Sequence, residues 1–452
     1  MSRRRPRNLA GKVFEVDDHR VDRQLDRVLD LVSRPDSFLA NSIDGTSIRT
    51  GSLPANRLSD ELRPAFNVIR YGADPFGQKD SASAFAQAIS LANDQGGGVV
   101  VVPPGDYLVT DHDSDGAAIK MEASVTLSGS GAGATTITLG DGEDVDVIFA
   151  DTKSDIGVRE LTVDGNQDNN TSGCGIRLLS GQGGSSFAEA RIQNVIIRSP
   201  ADHGLFFDQD SVTPVFWNNV VEDVWIYYPG GDGIRFDGDD ADAITGNRIS
   251  GVTIFLAGGS EGNGIRLYGD HFVVSGVIVE GVEGSGYAGI DYQGGKSSTL
   301  SDLSIVGVGS SGEQDDGRGV FLGSTESVTV RGMTADNLGE GVFAFGSTNT
   351  SISGVVTNNC YYGVAVAGGA PPTSTVISGC TFADGEQGIR VGQATATTIT
   401  GCNSRGNAEG LRVLVTAADT TVVANNFTGN TAATEIHASA TGTIDEHNAL
   451  GE

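Results

Sequence analysis

Gly175-Ile176-Arg177-Leu178 returns along the chain as Gly204-Leu205-Phe206-Phe207, Gly233-Ile234-Arg235-Phe236, Gly264-Ile265-Arg266-Leu267 and Gly289-Ile290-Asp291-Tyr292. It then recurs as Gly319-Val320, Gly341-Val342, Gly363-Val364, Gly388-Ile389 and Gly410-Leu411. The glycines are 29, 29, 31, 25, 30, 22, 22, 25 and 22 residues apart, a range that belongs to repeat architectures. Each unit reads as a glycine turn followed by a strand of alternating apolar residues.

A second strand precedes most of the later glycines, as in Ser327-Val328-Thr329-Val330, Ser374-Thr375-Val376-Ile377-Ser378 and Thr397-Thr398-Ile399-Thr400. Two or three short strands in a repeat this short make one turn of a coil. Stacked coils place equivalent residues about 4.8 Å apart. A propeller blade needs about 40 residues per repeat, and the Leu/Asn consensus of leucine-rich repeats is missing. The fold class expected is all-β, a right-handed parallel β-helix, with a short α-helical N-terminal head.

Composition agrees, with 65 glycines and 6 % aromatic residues in 452. The net charge is −29, lysine occurs only at positions 12, 79, 120, 153 and 296, and Asp outnumbers Glu by 40 to 18. So acidic and lysine-poor a surface is kept folded when salt screens its self-repulsion, which suits a halophilic host or, failing that, an ordinary acidic secreted solenoid. No nucleic-acid partner is expected of it.

The charge is uneven. Residues 1–64 carry 12 Lys and Arg against 10 Asp and Glu, a balance of +2, and the other 388 carry 17 against 48, a balance of −31. The boundary expected near Pro64 divides a head, 1–64, for attachment and oligomerisation from a cap, 65–110, and a β-helix, 111–452. In the head, Val21, Leu25, Val28 and Val32 form a 4-3-4 stripe that serves either a coiled-coil seam or a helix packed on the solenoid end. Residues 42–58 look like the hairpin-and-linker pieces near the attachment ends of viral fibres and spikes.

The next stretch is more specific. Phe66-Asn67-Val68-Ile69-Arg70-Tyr71-Gly72-Ala73-Asp74 leads to Asp80-Ser81-Ala82-Ser83-Ala84-Phe85 and on to Gly96-Gly97-Gly98-Val99-Val100-Val101-Val102-Pro103-Pro104-Gly105. It resembles the opening of the pectate-lyase-like superfamily, which includes polysaccharide-degrading enzymes and phage tailspikes. Asp80 or Ser81 would cap a helix whose Phe85, Ile89 and Ala92 form one apolar face and cover the open edge of the solenoid. The resemblance implies a fold and leaves the activity open.

Arg3, Arg4, Arg5 and Arg7 are followed by a stretch too polar for the core of a signal peptide, and no run is apolar enough to span a membrane. A virion protein assembled in the cytoplasm needs neither. Cys380 and Cys402 occupy equivalent places in successive coils, where buried thiols replace Val, and with Cys174 and Cys360 they make no disulfide framework. No Cys/His cluster has metal-ligand spacing.

The coils between Gly175 and Gly319 are the longest, so their extra residues leave as loops, where binding surfaces are built. The same region holds Trp217, Trp225, Tyr227, Tyr228, Tyr268 and Tyr292, which are either core residues or flat platforms for sugar rings. Superposed repeats align Asp210, Asp239 and Asp270, the candidate catalytic carboxylates, and beside them Asp208, Asp237 and Tyr268. Spacings of about 5 or 10 Å would suit glycoside hydrolysis. The column would otherwise recruit a cation such as Ca²⁺ or K⁺, or simply face solvent. The polygalacturonase pattern is incomplete, with Asp202-His203-Gly204 and Gln314-Asp315-Asp316-Gly317 out of order. The arginines of the repeat alternate with inward Ile and Leu, which places them on the surface, paired with neighbouring Asp.

The function expected is a viral tail spike that binds a host surface glycan or glycoprotein, with or without depolymerase activity. It would be homotrimeric, joined to tail or baseplate proteins through residues 1–64, located in the virion, and without membrane insertion. The alternatives are a polysaccharide hydrolase or lyase and a structural virion component.

Overall fold

The computed structural model describes residues 66–450 except 111–115, 181–186, 210–215, 239–242, 257–261, 285, 309–316, 369, 437–439 and 441. The expected head helix, the 42–58 linker, Asp210 and Asp239 lie outside the described residues. The rest is a parallel β-solenoid of about 12 turns with a single α-helix.

Each coil contributes to two long sheets. The repeat phrase forms a 13-stranded sheet, here the repeat sheet, in which Ile176 stands over Leu205, Leu205 over Ile234 and Ile234 over Ile265. The preceding strand of each coil belongs to a 22-stranded broad sheet, as where Val195 pairs with Val224 and Leu303 with Met333. A third, three-stranded sheet of Phe187–Ala188, Phe216–Trp217 and Ile244–Thr245 occurs in the long coils. Inward Val, Ile and Leu fill the coil from Phe66 to Phe427, and all four cysteines are free and buried among them.

The broad sheet bends once per coil at a residue with left-handed backbone, including Asn194, Asp223, Gly251, Gly276, Gly332, Gly354 and Gly379. Asn, Asp and Gly bear that conformation at least cost. The glycines of the repeat phrase have a different role from the turn expected of them. None of the ten has a left-handed φ. A Cβ on Gly204 would lie 2.5 Å from the Gly233 carbonyl oxygen and 2.8 Å from Ile226, and one on Gly233 would lie 2.6 Å from the Gly264 oxygen. They recur because the coils approach too closely there for any side chain.

The helix Ala82–Asp94 buries Ala84, Phe85, Ala88, Ile89 and Ala92. Asp80 Oδ1 accepts the Ala82 and Thr110 backbone N–H groups, both at 3.1 Å, so Asp80 ties the helix start to the next coil. Ser81 instead accepts the Asp74 N–H at 3.0 Å.

Candidate functional site

Alternation in the repeat strands sends every second side chain outward. On the repeat sheet one outward row runs Phe149, Arg177, Phe206, Arg235, Arg266, Asp291, Phe321, Phe343, one residue per coil. The Arg177 guanidinium lies 6.0 Å from the Phe149 ring centre and 5.7 Å from that of Phe206, while Arg235 lies 5.4 Å from Phe206. Further along, Phe321, Phe343 and Phe345 cluster with ring centres 5.7–6.1 Å apart, and Phe345 is 38 % exposed. Apart from Asp291 and Phe149, which are buried, the row is a strip of flat groups, part cationic and part aromatic.

Carboxylates flank it. Arg177 pairs with Asp208 at 2.5 Å and Asp146 at 3.6 Å, Arg235 with Asp237 and with Asp232 at 3.8 Å, and Arg266 with Asp291 at 3.8 Å. The surface pairing read from the arginine alternation is therefore present. Asp208 and Asp237 face each other across adjacent coils, each held by its own arginine.

Two residues before the inward Leu or Ile, each coil can place a side chain that accepts from the backbone of the next coil. Asp146 Oδ1 accepts Cys174 N–H at 2.8 Å, His203 Nδ1 accepts Asp232 N–H at 2.9 Å, Asp232 Oδ1 accepts Asn263 N–H at 2.7 Å, and Asn263 Oδ1 accepts Ala288 N–H at 2.8 Å. His203, Asp232 and Arg235 meet at the middle of this ladder. Arg235 Nη1 lies 3.3 Å from His203 Nε2, and Asp232 Oδ2 is 3.8 Å from His203 Nδ1. With Nδ1 accepting the Asp232 N–H, the neutral ring carries its hydrogen on Nε2, beside the Arg235 guanidinium. Burial first, and then the Arg235 charge, hold the His203 pKa below its ordinary value, against the pull of Asp232. Burial raises the pKa of Asp146 and Asp291. The neutral imidazole is held between the Asp232 backbone and the Arg235 guanidinium.

The residues singled out in the sequence are dispersed. Asp270 is buried, and its Oδ1 accepts the Lys296 N–H at 2.8 Å, which ties it to the backbone of the next coil. Tyr292 is fully buried, in register with inward Leu267, and its hydroxyl reaches the Gly269 oxygen and Ser298 Oγ, each at 2.7 Å, so its ring packs in the core. Tyr268 is half-buried on the repeat sheet, and Trp217, 43 % exposed, belongs to the three-stranded sheet. Only Trp225, Tyr227 and Tyr228 come together, on the broad sheet, with ring centres 6.2 and 6.3 Å apart along the series. His203, Asp232 and Arg235 were not chosen from the sequence. The signal available was the polar series Asp146, His203, Asp232, Asn263, each two residues before a repeat-strand Ile or Leu.

Comparisons with known proteins can now be set beside this geometry. Residues 65–283 match the family model described as rhamnogalacturonase A/epimerase, pectate lyase-like, and residues 245–445 the one described as periplasmic copper-binding protein (NosD). Among the described residues no three His, Cys, Asp or Glu side chains are grouped to hold a metal ion. Alginate lyase 7 of Azotobacter vinelandii is 28 % identical over 169 residues, which is 35 % of this chain and 20 % of that protein. The match therefore spans a fifth of that relative's length. The A-module of mannuronan C-5 epimerase AlgE4 from the same organism superposes with a TM-score of 0.57 at 21 % identity, covering 85 % of this chain and 99 % of the module. The pre-mature bacteriophage phi29 gene product 12 does so with 0.54 at 17 % identity, covering 84 % of this chain and 56 % of that one. At these identities the likeness is one of fold. No helix among the described residues is long and apolar enough to cross a membrane.

Proposed function

In a chain that folds as a pectate-lyase-like parallel β-helix, outward side chains stand in rows, and we propose that the outward row of the repeat sheet is where this protein holds a polysaccharide. The observation that carries the reading is the strip from Phe149 to Phe343. Sugar rings offer apolar faces and hydroxyl edges. The strip offers rings for the faces, and Arg–Asp pairs whose donors and acceptors match the edges. Its length runs along the solenoid axis, so a polymer can lie across several coils.

In the finer form of this reading the polymer is a host surface glycan and the chain is the receptor-binding spike of a virion tail, attached through residues 1–64. The opening at Phe66–Gly105, which resembles that of a superfamily including phage tailspikes, and a fold in common with a bacteriophage protein support it.

The test is affinity electrophoresis of the full chain through gels containing alginate, pectate, dextran or a bacterial capsular polysaccharide. At least one polymer should retard the wild type, and Phe206→Ala or Arg235→Ala should remove the retardation while the protein stays folded. Migration unaffected by every polymer, or retardation indifferent to both substitutions, would refute the proposal.

A further inference from the structure

Around the turn from this strip, at the edge of the broad sheet, lies a recess of about 420 Å³ lined by Tyr227, Tyr228, Arg198, Ser199, Thr136 and Ile196 among others. We propose that it is a second glycan-binding site, for an uncharged sugar, independent of the repeat-sheet strip. Its volume falls in the ~300–1,000 Å³ range of small-molecule sites.

The walls are built to stay in place. The Tyr227 ring lies flat on Phe255, with centres 5.0 Å apart and planes 7° apart, and Trp225 flanks it from the same sheet. Tyr228 has a left-handed backbone, φ 53°, which a bulky side chain adopts only at a cost in energy. The residue in the same place one coil earlier is Ser199, also left-handed but with a side chain that suits a turn. Burial does not offset the cost at Tyr228, because the residue is 50 % exposed. Its N–H donates to the Phe255 oxygen at 2.8 Å, which pins the conformation and keeps the ring at the mouth of the recess. A strained, rigid, half-exposed aromatic at the rim of a cavity is what a sugar-stacking residue requires.

The polar groups set the ligand class. Arg198 Nε donates to Asp164 Oδ2 at 2.7 Å, so its charge is balanced by a neighbouring carboxylate. The guanidinium lines the recess with further N–H donors and a charge already matched, which suits sugar hydroxyls and not a second anion. The hydroxyls of Thr136 and Ser199 extend the same neutral, two-way hydrogen bonding.

The experiment probes the full chain on a printed panel of maltose, cellobiose, mannobiose, galactobiose and the disaccharides of mannuronate and galacturonate. At least one neutral glycan should be captured. Tyr228→Asn, which relieves the backbone, should keep or raise the melting temperature yet weaken that capture about tenfold or more, as should Arg198→Ala. Arg235→Ala should leave it within about twofold, which separates this site from the strip. Capture of uronates alone, of nothing, or of a neutral glycan indifferent to Tyr228→Asn would overturn the proposal. So would a change of oligomeric state in Tyr228→Asn without a change in capture, which would make the recess a subunit contact.

Discussion

Asp232 is fixed by Asn263: its Oδ1 accepts both the backbone N–H, at 2.7 Å, and the side-chain amide, at 2.9 Å, of Asn263 one coil on. The other oxygen is thereby presented toward His203 and Arg235, at 3.8 Å from each. The solenoid itself orients the groups at the centre of the strip, because His203, Asp232 with Arg235, and Asn263 belong to three successive coils and the coil spacing sets their separation.

That arrangement has a pH signature. With its folded pKa depressed, His203 binds fewer protons in the folded chain than in the unfolded one between the folded value and about 6.5. Its contribution to stability is present above about pH 6.5 and is lost as pH falls through the folded pKa. The difference in melting temperature between the wild type and His203→Gln should therefore shrink from pH 8 toward pH 5. A constant difference, or a His203 ring that titrates at or above 6.5 by NMR, would contradict the burial argument.

The close-packed repeat glycines predict an overpacking cost. Gly204→Ala and Gly233→Ala each drive a methyl into the next coil's carbonyl and an inward isoleucine, and should destabilise by about 1–3 kcal/mol in denaturant melts. Gly379→Ala, where a Cβ meets nothing within 4 Å, should cost only the strain of its left-handed φ. Equal costs at all three positions would show that turn geometry, not close approach, selects these glycines.

The balance of −31 on residues 65–452 should make stability depend on salt. Screening shortens the range of self-repulsion from about 10 Å at 0.1 M to about 3 Å at 1 M. The melting temperature should rise between about 0.1 M and 2 M KCl. A flat response would remove the halophilic reading.

We further expect a homotrimer, since spikes of this fold pair a shaft with a short oligomerising head. Light scattering in molar salt should report three times the chain mass of 46.6 kDa. A chain that stays monomeric at high concentration would leave the Val21–Val32 stripe without its oligomerising role.

Much of this was legible in the residues. The repeat phrase announced the repeat sheet, the Phe85, Ile89, Ala92 stripe announced the capping helix, and the alternation of Arg177 with Ile176 and Leu178 announced an outward arginine. For Tyr292 the phrase held the answer, since it occupies the place of the inward Leu178 and Leu267. The His203–Asp232 contact was harder to see. It joins adjacent coils through a bond between a side chain and the next coil's backbone. The position recurs two residues before each repeat-strand Ile or Leu, but it is filled in turn by Asp146, Cys174, His203, Asp232 and Asn263, and that change of residue type hides the series. Spacing alone does not tell an aspartate that holds a turn, as Asp270 does for the Lys296 N–H, from one that faces a substrate.

The measurement that bears most directly on the central claim is a crystal structure of the full chain with an oligosaccharide cut from whichever polymer retards it in the gel. The account predicts sugar rings lying along the solenoid axis on the outer face of the repeat sheet, one of them over Phe206 between Arg177 and Arg235. Ordered sugar found only elsewhere, such as in a groove between subunits, with that strip bare, would contradict it.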